Sequence, residues 1–184
     1  MKHARSIAGI WGYLLTGECE ALDEYARLAC ERNNGKPVIV NIGAGAGTSG
    51  LVFREACLDA ELYTVDFCES GPLGSLEGER NAFRDTGLAH PTQILGKSAD
   101  IGKSWNPDKK IDLLFIDDGH HRPDVIADIE AWWPHVKIGG IVIFHDYNAA
   151  PWPDVEEVVD EFMIGQKYLG LYNTVFVVEK EREL

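Results

Sequence analysis

A short β-rich run, Val38-Ile39-Val40-Asn41-Ile42, opens after Pro37 and leads straight into a glycine cluster at Gly43, Gly45, Gly47 and Gly50. Thr48 or Ser49 can cap a helix that follows to about Leu58. A strand that turns through glycines into a helix begins a strand–helix–strand unit, and the rest of the chain repeats the alternation. Glu61–Asp66 reads as a second strand, Cys68–Leu76 as a loop and Glu77–Thr86 as a polar helix. Thr92–Leu95 is a third strand, Ser98–Lys103 a short helix, and Ile111–Asp117 a continuous apolar strand of the kind buried on both faces. Asp124–His135 is an amphipathic helix with Val125, Ile126, Ile129, Trp132 and Trp133 inward. Ile138–His145 holds a Gly139-Gly140 turn and a fifth strand. Asp154–Met163 is an acidic helix, and Tyr172–Glu179 a last strand beside a short neighbour at Lys167–Leu169. Ahead of this core, helical spacing at Leu22, Tyr25, Ala26, Leu28 and Ala29 predicts a helix over Cys19–Arg32, ended by Asn33-Asn34-Gly35.

The architecture this predicts is α/β. It is one doubly wound, mostly parallel sheet, Rossmann-like, with an antiparallel C-terminal edge strand. A length of 184 residues suits a single domain, with residues 1–35 a helical segment and 36–184 the α/β core.

Charge narrows the partners. The formal net charge of −13 repels a phosphate backbone and an anionic membrane surface, so neither nucleic acid nor membrane is an expected partner. No apolar run approaches the ~18 residues of a membrane span, and the N-terminal residues Lys2 to Tyr13 lack the pattern of a signal peptide. Cys19, Cys30, Cys57 and Cys68 are scattered without a Cys-x-x-Cys pair, and read as reduced structural thiols of a cytoplasmic protein.

In such sheets ligands bind beyond the carboxyl ends of the strands. That places the chemistry at residues 43–48, 66–70, 96–100, 117–122 and 145–149. The glycine loop has two registers. Gly45 to Gly50 spells a dinucleotide fingerprint, while Gly43-Ala44-Gly45-Ala46-Gly47 spells the version used for adenosyl cofactors. Asp66, followed by Phe67, ends the second strand, where a carboxylate can accept hydrogen bonds from ribose hydroxyls. Gly96-Lys97-Ser98-Ala99-Asp100 can meet an adenine ring or cap the next helix through Ser98. The fourth strand ends Asp117-Asp118-Gly119-His120-His121 and the fifth His145-Asp146-Tyr147-Asn148. Adjacent strands would bring Asp117 and Asp146 together, and like carboxylates held close need a cation or a proton. Two carboxylates suit Mg²⁺ or Ca²⁺, and nearby imidazole also admits Mn²⁺ or Zn²⁺. His120 is the natural general base for a hydroxyl. Trp132 and Trp133 read as core. Trp152, between Pro151 and Pro153, reads as a substrate cover or a surface anchor.

These residues resemble class I S-adenosylmethionine-dependent methyltransferases, and most nearly the metal-dependent small-molecule O-methyltransferases. The likeness runs from Val38 to Asn148. It is most specific over Ile111–His121, Trp132-Trp133-Pro134 and Gly139 to Tyr147. It implies a cofactor site made by Asn41, Gly43, Ala44, Gly45, Gly47, Thr48, Ser49, Asp66, Phe67, Ser98, Ala99 and Asp117. It also implies metal carboxylates at Asp117 and Asp146 and a catalytic base at His120. The substrate would be a hydroxylated small molecule, and a second copy of the chain could complete the pocket as a homodimer. Two departures stand out. Asn41 occupies a position that often carries an acid, and Asp117-Asp118-Gly119-His120 stands where the signature reads Asp-Gly-Asp-His. Two alternatives stay open: a nicotinamide-dependent oxidoreductase using the other glycine register, and a non-catalytic module that binds the adenosyl cofactor.

Overall fold

A computed structural model of the chain describes residues 14–67, 76–84 and 86–184, together with Lys2. Trp11 and residues 68–75 of the expected Cys68–Leu76 loop lie outside the described residues, and Leu76 is the first residue of a helix.

The chain begins with α1 (Thr16–Arg32), β1 (Val38–Ile42), α2 (Thr48–Ala56), β2 (Glu61–Asp66), α3 (Leu76–Arg84) and β3 (Thr92–Leu95). It continues with α4 (Ser98–Ser104), β4 (Ile111–Ile116), α5 (Arg122–Trp132), a 3₁₀ turn (Trp133–His135) and β5 (Val136–Phe144). It ends with α6 (Pro153–Phe162), β6 (Lys167–Tyr172) and β7 (Val175–Glu179). The strands form one sheet in the order β3-β2-β1-β4-β5-β7-β6. β1 to β5 pair in parallel, and β7 runs antiparallel to both of its neighbours. The expected hairpin is therefore present. Its second strand, β7, inserts beside β5, and its first strand, β6, takes the edge.

Alternation along β4 explains why every one of its residues is buried. Leu113 and Phe115 join Ile39, Ile141 and Ile143 under α1 and α2. Leu114 and Ile116 join Val40, Ile42, Val142 and Phe144 under α5 and α6. With helices on both faces, a strand has no solvent side on which to carry polar residues. Val125, Ile129, Trp132 and Trp133 are all buried in the second layer, as their spacing predicts.

Three local expectations are corrected. The α-helix predicted to His135 stops at Trp132, because Pro134 has no N–H to continue the ladder, and the chain tightens into a 3₁₀ turn. Gly139-Gly140 is not a turn but part of β5. The Gly139 N–H donates to the Lys180 carbonyl at 2.8 Å and the Lys180 N–H to the Gly140 carbonyl at 2.9 Å, which carries the pairing past β7. The cysteines are not all reduced. Cys30 near the end of α1 and Cys57 at the end of α2 form a disulfide, with Cα atoms 5.8 Å apart. The two helices lie side by side on one face of the sheet, which brings these residues together. Cys19 is a buried free thiol. Among the described residues, no helix is long and apolar enough to cross a membrane.

Candidate active site

Parallel register sets the floor of the site. Ile42, Ile116 and Phe144 are aligned across β1, β4 and β5, so the next residues, Gly43, Asp117 and His145, emerge at one level. The backbone confirms the alignment: the Asp117 N–H donates to the Ile42 carbonyl and the His145 N–H to the Ile116 carbonyl, both at 3.1 Å. Above this level lies a cavity of about 440 Å³. Its walls include Gly43 to Ala46, Thr48, Ser49, Asp66, Asp117, Asp118, His120, Asp146 and Trp152. The cavity sits where the strand order reverses between β1 and β4, the usual ligand position in a doubly wound sheet.

Gly43, Gly45 and Gly47 all have positive φ. Gly43 has φ of +85°, and a β-carbon there would fall on the backbone carbonyl of Asp117. Its bare backbone therefore serves the close crossing of two strand ends. Gly47, at φ +88°, is the N-cap of α2, in place of the expected Thr48 or Ser49. Gly50 lies inside α2 and packs on the Glu79 side chain. Asp66 is tied to the loop directly: its Oδ2 accepts the Ala44 N–H at 2.8 Å.

Orphaned polar atoms sit beside this loop. Asn41 Oδ1, Asn41 Nδ2 and Thr48 Oγ1 are buried with no hydrogen-bond partner among the described residues. Buried polar groups are normally satisfied. Together with the Asp66 carboxylate at a strand end, they are the donor and acceptor set that an adenosyl cofactor with its amino-acid tail would engage. Asn41 and Gly47 do not line the cavity, nor do three further expected cofactor residues. Ser98 is the first residue of α4, and its hydroxyl accepts the Trp132 indole N–H at 2.9 Å, which turns it into the helix interface. Ala99 packs against the same core layer. Phe67 is partly exposed beneath the Lys97 ammonium, 5.5 Å from its ring centroid. None of the three lines the cavity.

The structure brings Asp117, His120 and Asp146 together, with one possible ligand atom from each within 4.8 Å of the others. His120 Nε2 lies 2.8 Å from Asp146 Oδ2. Hydrogen bonds from His120 and His145 outweigh the burial that would raise the Asp146 pKa, and hold it well below the usual carboxylate range. Asp146 is thus an acceptor, so His120 donates through Nε2. The hydrogen bond to Asp146 also raises the His120 pKa against the effect of burial. Trp152 stacks on His120, with ring centroids 4.7 Å apart and 25° between the planes. Asp118 lines the same cavity, and burial, followed by the charges of Asp66 and Asp117, raises its pKa. Two carboxylates and an imidazole at this separation are a donor set of the kind a divalent cation takes.

Two residues of the cluster were given no role from sequence. His145 is 5% exposed, and its Nδ1 lies 3.0 Å from Asp117 Oδ1 and 3.1 Å from Asp146 Oδ2. Burial opposes its charged form, but Asp117, Asp146 and Glu18 outweigh burial and raise its pKa. Glu18, on α1, lies behind it and is 1% exposed. Burial works to raise the Glu18 pKa, but hydrogen bonds from His145, the Leu15 N–H and Thr174 bring it down to about 2. The position of His145 just before Asp146 was a usable signal, whereas nothing in the sequence around Glu18 distinguishes it.

A seven-stranded sheet of this order with a strand-end site of glycines, carboxylates and imidazole defines a Rossmann-like methyltransferase. Residues 40–147 match the model of a family described as a methyltransferase domain, and the chain belongs to that family, with the class I S-adenosylmethionine-dependent fold. An uncharacterized protein of Sinorhizobium fredii is 30% identical over 118 residues, which is 59% of this chain and 13% of that protein. The chain therefore spans only a small part of that relative. Among solved structures, the O-methyltransferase NovP is 18% identical with a TM-score of 0.69, over 90% of this chain and 80% of that one. MycE, a methyltransferase of the mycinamycin pathway solved with Mg and S-adenosylhomocysteine, is 17% identical with a TM-score of 0.65, over 97% of this chain and 53% of that one. At these identities the structural likeness is one of fold.

Proposed function

We propose that this chain transfers the methyl group of S-adenosylmethionine to a hydroxyl of a small molecule, with His120 as the base. The observation that carries the reading is the cavity itself, which joins Asp66 and the Gly43–Gly47 loop to the His120–Asp146 pair. S-adenosylmethionine supplies a methyl group on a sulfonium, already a good leaving centre. Asp66 and the loop amides hold the nucleoside end, and Asn41 and Thr48 offer unpaired polar atoms beside the loop. Asp146 fixes the His120 ring through Nε2, as carboxylates orient catalytic histidines elsewhere, and leaves Nδ1 to take the substrate proton. The new bond joins the substrate oxygen to the methyl carbon, the carbon–sulfur bond breaks, and the hydroxyl proton passes to His120. Trp152 covers one face of the imidazole and excludes water from it. Asp117 and Asp146, with His120 beside them, are the residues that would hold a divalent cation such as Mg²⁺, which supplies Lewis-acid polarisation of an oxygen.

The lining carries four carboxylates, Asp66, Asp117, Asp118 and Asp146, and the chain carries a net charge of −13. That favours an uncharged hydroxylated substrate over nucleic acid.

The test is calorimetric titration with S-adenosylhomocysteine and with NADH, followed by product analysis on a panel of hydroxylated small molecules. The expected result is binding of S-adenosylhomocysteine alone, methylation of a hydroxyl, and loss of turnover in His120→Ala with cofactor affinity unchanged. Binding of NADH and not of the adenosyl compound would defeat the reading. Cofactor binding without turnover on any hydroxyl would mark a binding module.

A further inference from the structure

We propose that Glu18 and His145 are positioning residues that hold Asp117 and Asp146 in one arrangement for a divalent cation. The proposal rests on the functional reading above, and concerns how this chain sets the shape of its carboxylate pair.

The geometry is a relay across four elements. Glu18 Oε1 accepts the Thr174 hydroxyl at 2.7 Å and the Thr174 N–H at 3.2 Å, between β6 and β7. Its Oε2 accepts the Leu15 N–H at 2.7 Å and faces His145 Nε2 at 3.4 Å. The opposite ring nitrogen of His145 lies on Asp117 at the end of β4 and on Asp146 just past β5. Both nitrogens of His145 thus face carboxylate oxygens, and Nε2 also lies 3.5 Å from the Thr174 hydroxyl. Glu18 fixes which way the ring points, and the ring fixes the distance between two acids that would otherwise repel.

Glu18 also closes the capping box of α1 through the Leu15 N–H, and apolar residues of similar volume often fill such space at lower cost than a buried carboxylate. Glu18 does not line the cavity, yet the chain of contacts from it ends on two acids that do. Partners that orient metal-binding side chains typically change metal affinity by about 10- to 100-fold when removed.

The experiment uses the full chain, with Mn²⁺ as the probe and electron paramagnetic resonance of the free ion as the readout. The wild type is expected to bind one Mn²⁺ per chain. Glu18→Gln preserves side-chain volume but cannot accept at both ends, and is expected to weaken Mn²⁺ by about 10-fold or more. Its affinity for S-adenosylhomocysteine should stay within about 2-fold, which a general loss of fold would not allow. Thr174→Val, which removes only the hydroxyl on Glu18, should show a smaller loss of the same kind. It decides the matter if Glu18→Gln does not fold. The proposal is overturned if the wild type takes up no Mn²⁺, or if the folded variants bind it as the wild type does. It is equally overturned if Mn²⁺ and S-adenosylhomocysteine affinities fall together. Failure of the wild type to bind S-adenosylhomocysteine would defeat the functional reading instead, and the Mn²⁺ comparison would still decide this one.

Discussion

The space a β-carbon would need on Gly43 is filled by the backbone carbonyl of Asp117. The first strand end and the fourth therefore meet backbone to backbone, and the glycine loop is braced by the strand that ends at Asp117. Gly43→Ala combines this overlap with a φ of +85°. It should destabilise the chain by about 3 kcal/mol or more, read from the midpoint of urea unfolding at constant slope. A midpoint unchanged from wild type would mean that the strand ends can part at little cost.

Asp66 holds the loop through the Ala44 N–H, and the proposed function puts the ribose on its carboxylate. Asp66→Asn keeps an acceptor for the Ala44 N–H but loses the charge and one acceptor oxygen. It should fold normally and bind S-adenosylhomocysteine about 10-fold more weakly, as loss of a charged hydrogen bond predicts. Calorimetry gives the answer directly, and equal affinity would move the ribose elsewhere.

Glu79 is fully buried under the glycine loop, where its carboxylate accepts the Thr64 hydroxyl at 3.0 Å and the Gln93 amide at 2.8 Å. Burial raises its pKa from 4.5 to about 7, against the pull of these hydrogen bonds. The folded chain thus keeps a proton that the unfolded chain releases. The contribution of this proton to stability is full below about pH 4.5, and is lost as pH rises through about 7. The whole loss amounts to about 3 kcal/mol. Glu79→Gln cannot ionise, so its stability relative to wild type should rise by most of this amount, about 2.5 kcal/mol, between pH 5 and pH 8. Chemical denaturation at the two pH values measures it, and a constant difference would reject the assignment.

The disulfide between Cys30 and Cys57 closes a loop with a sequence separation of 27 residues. A cross-link of that span contributes about 3 kcal/mol. Cys30→Ser with Cys57→Ser, or reduction of the wild type, should lower stability by that amount while leaving S-adenosylhomocysteine binding intact. Mass spectrometry after thiol labelling checks the pairing itself. Two free thiols at these positions in the oxidised protein would refute it.

What the sequence made legible has a physical basis. β1, β2 and β3 carry the predicted boundaries because apolar runs stop there at glycines, turns or acids. Asp117, His120 and Asp146 could be grouped because each follows a strand whose neighbour topology already implies. Ser98 could not be placed so easily. A serine at a helix start looks the same whether its hydroxyl meets a ligand or, as here, the indole of Trp132. Gly139-Gly140 looks like a turn because glycine is poor in strands, and only pairing with the backbone around Lys180 shows otherwise. Glu18 lies 127 positions from His145, and no local pattern reports a contact of that range.

That range has a consequence for how the protein is made. Glu18 and Thr174, which are hydrogen-bonded to each other, are 156 positions apart, and Asp117 and Asp146 lie between them. On a ribosome the first helix is complete long before its partner leaves the exit tunnel. Until Thr174 emerges, Asp117 and Asp146 are already on the chain, but Glu18 lacks the hydroxyl and N–H that hold it behind His145. Closing contacts across such distances is slow relative to forming local ones. The centre where chemistry is proposed should therefore be among the last parts of the molecule to form, and a nascent or truncated chain would carry every reactive side chain without the arrangement that makes them useful.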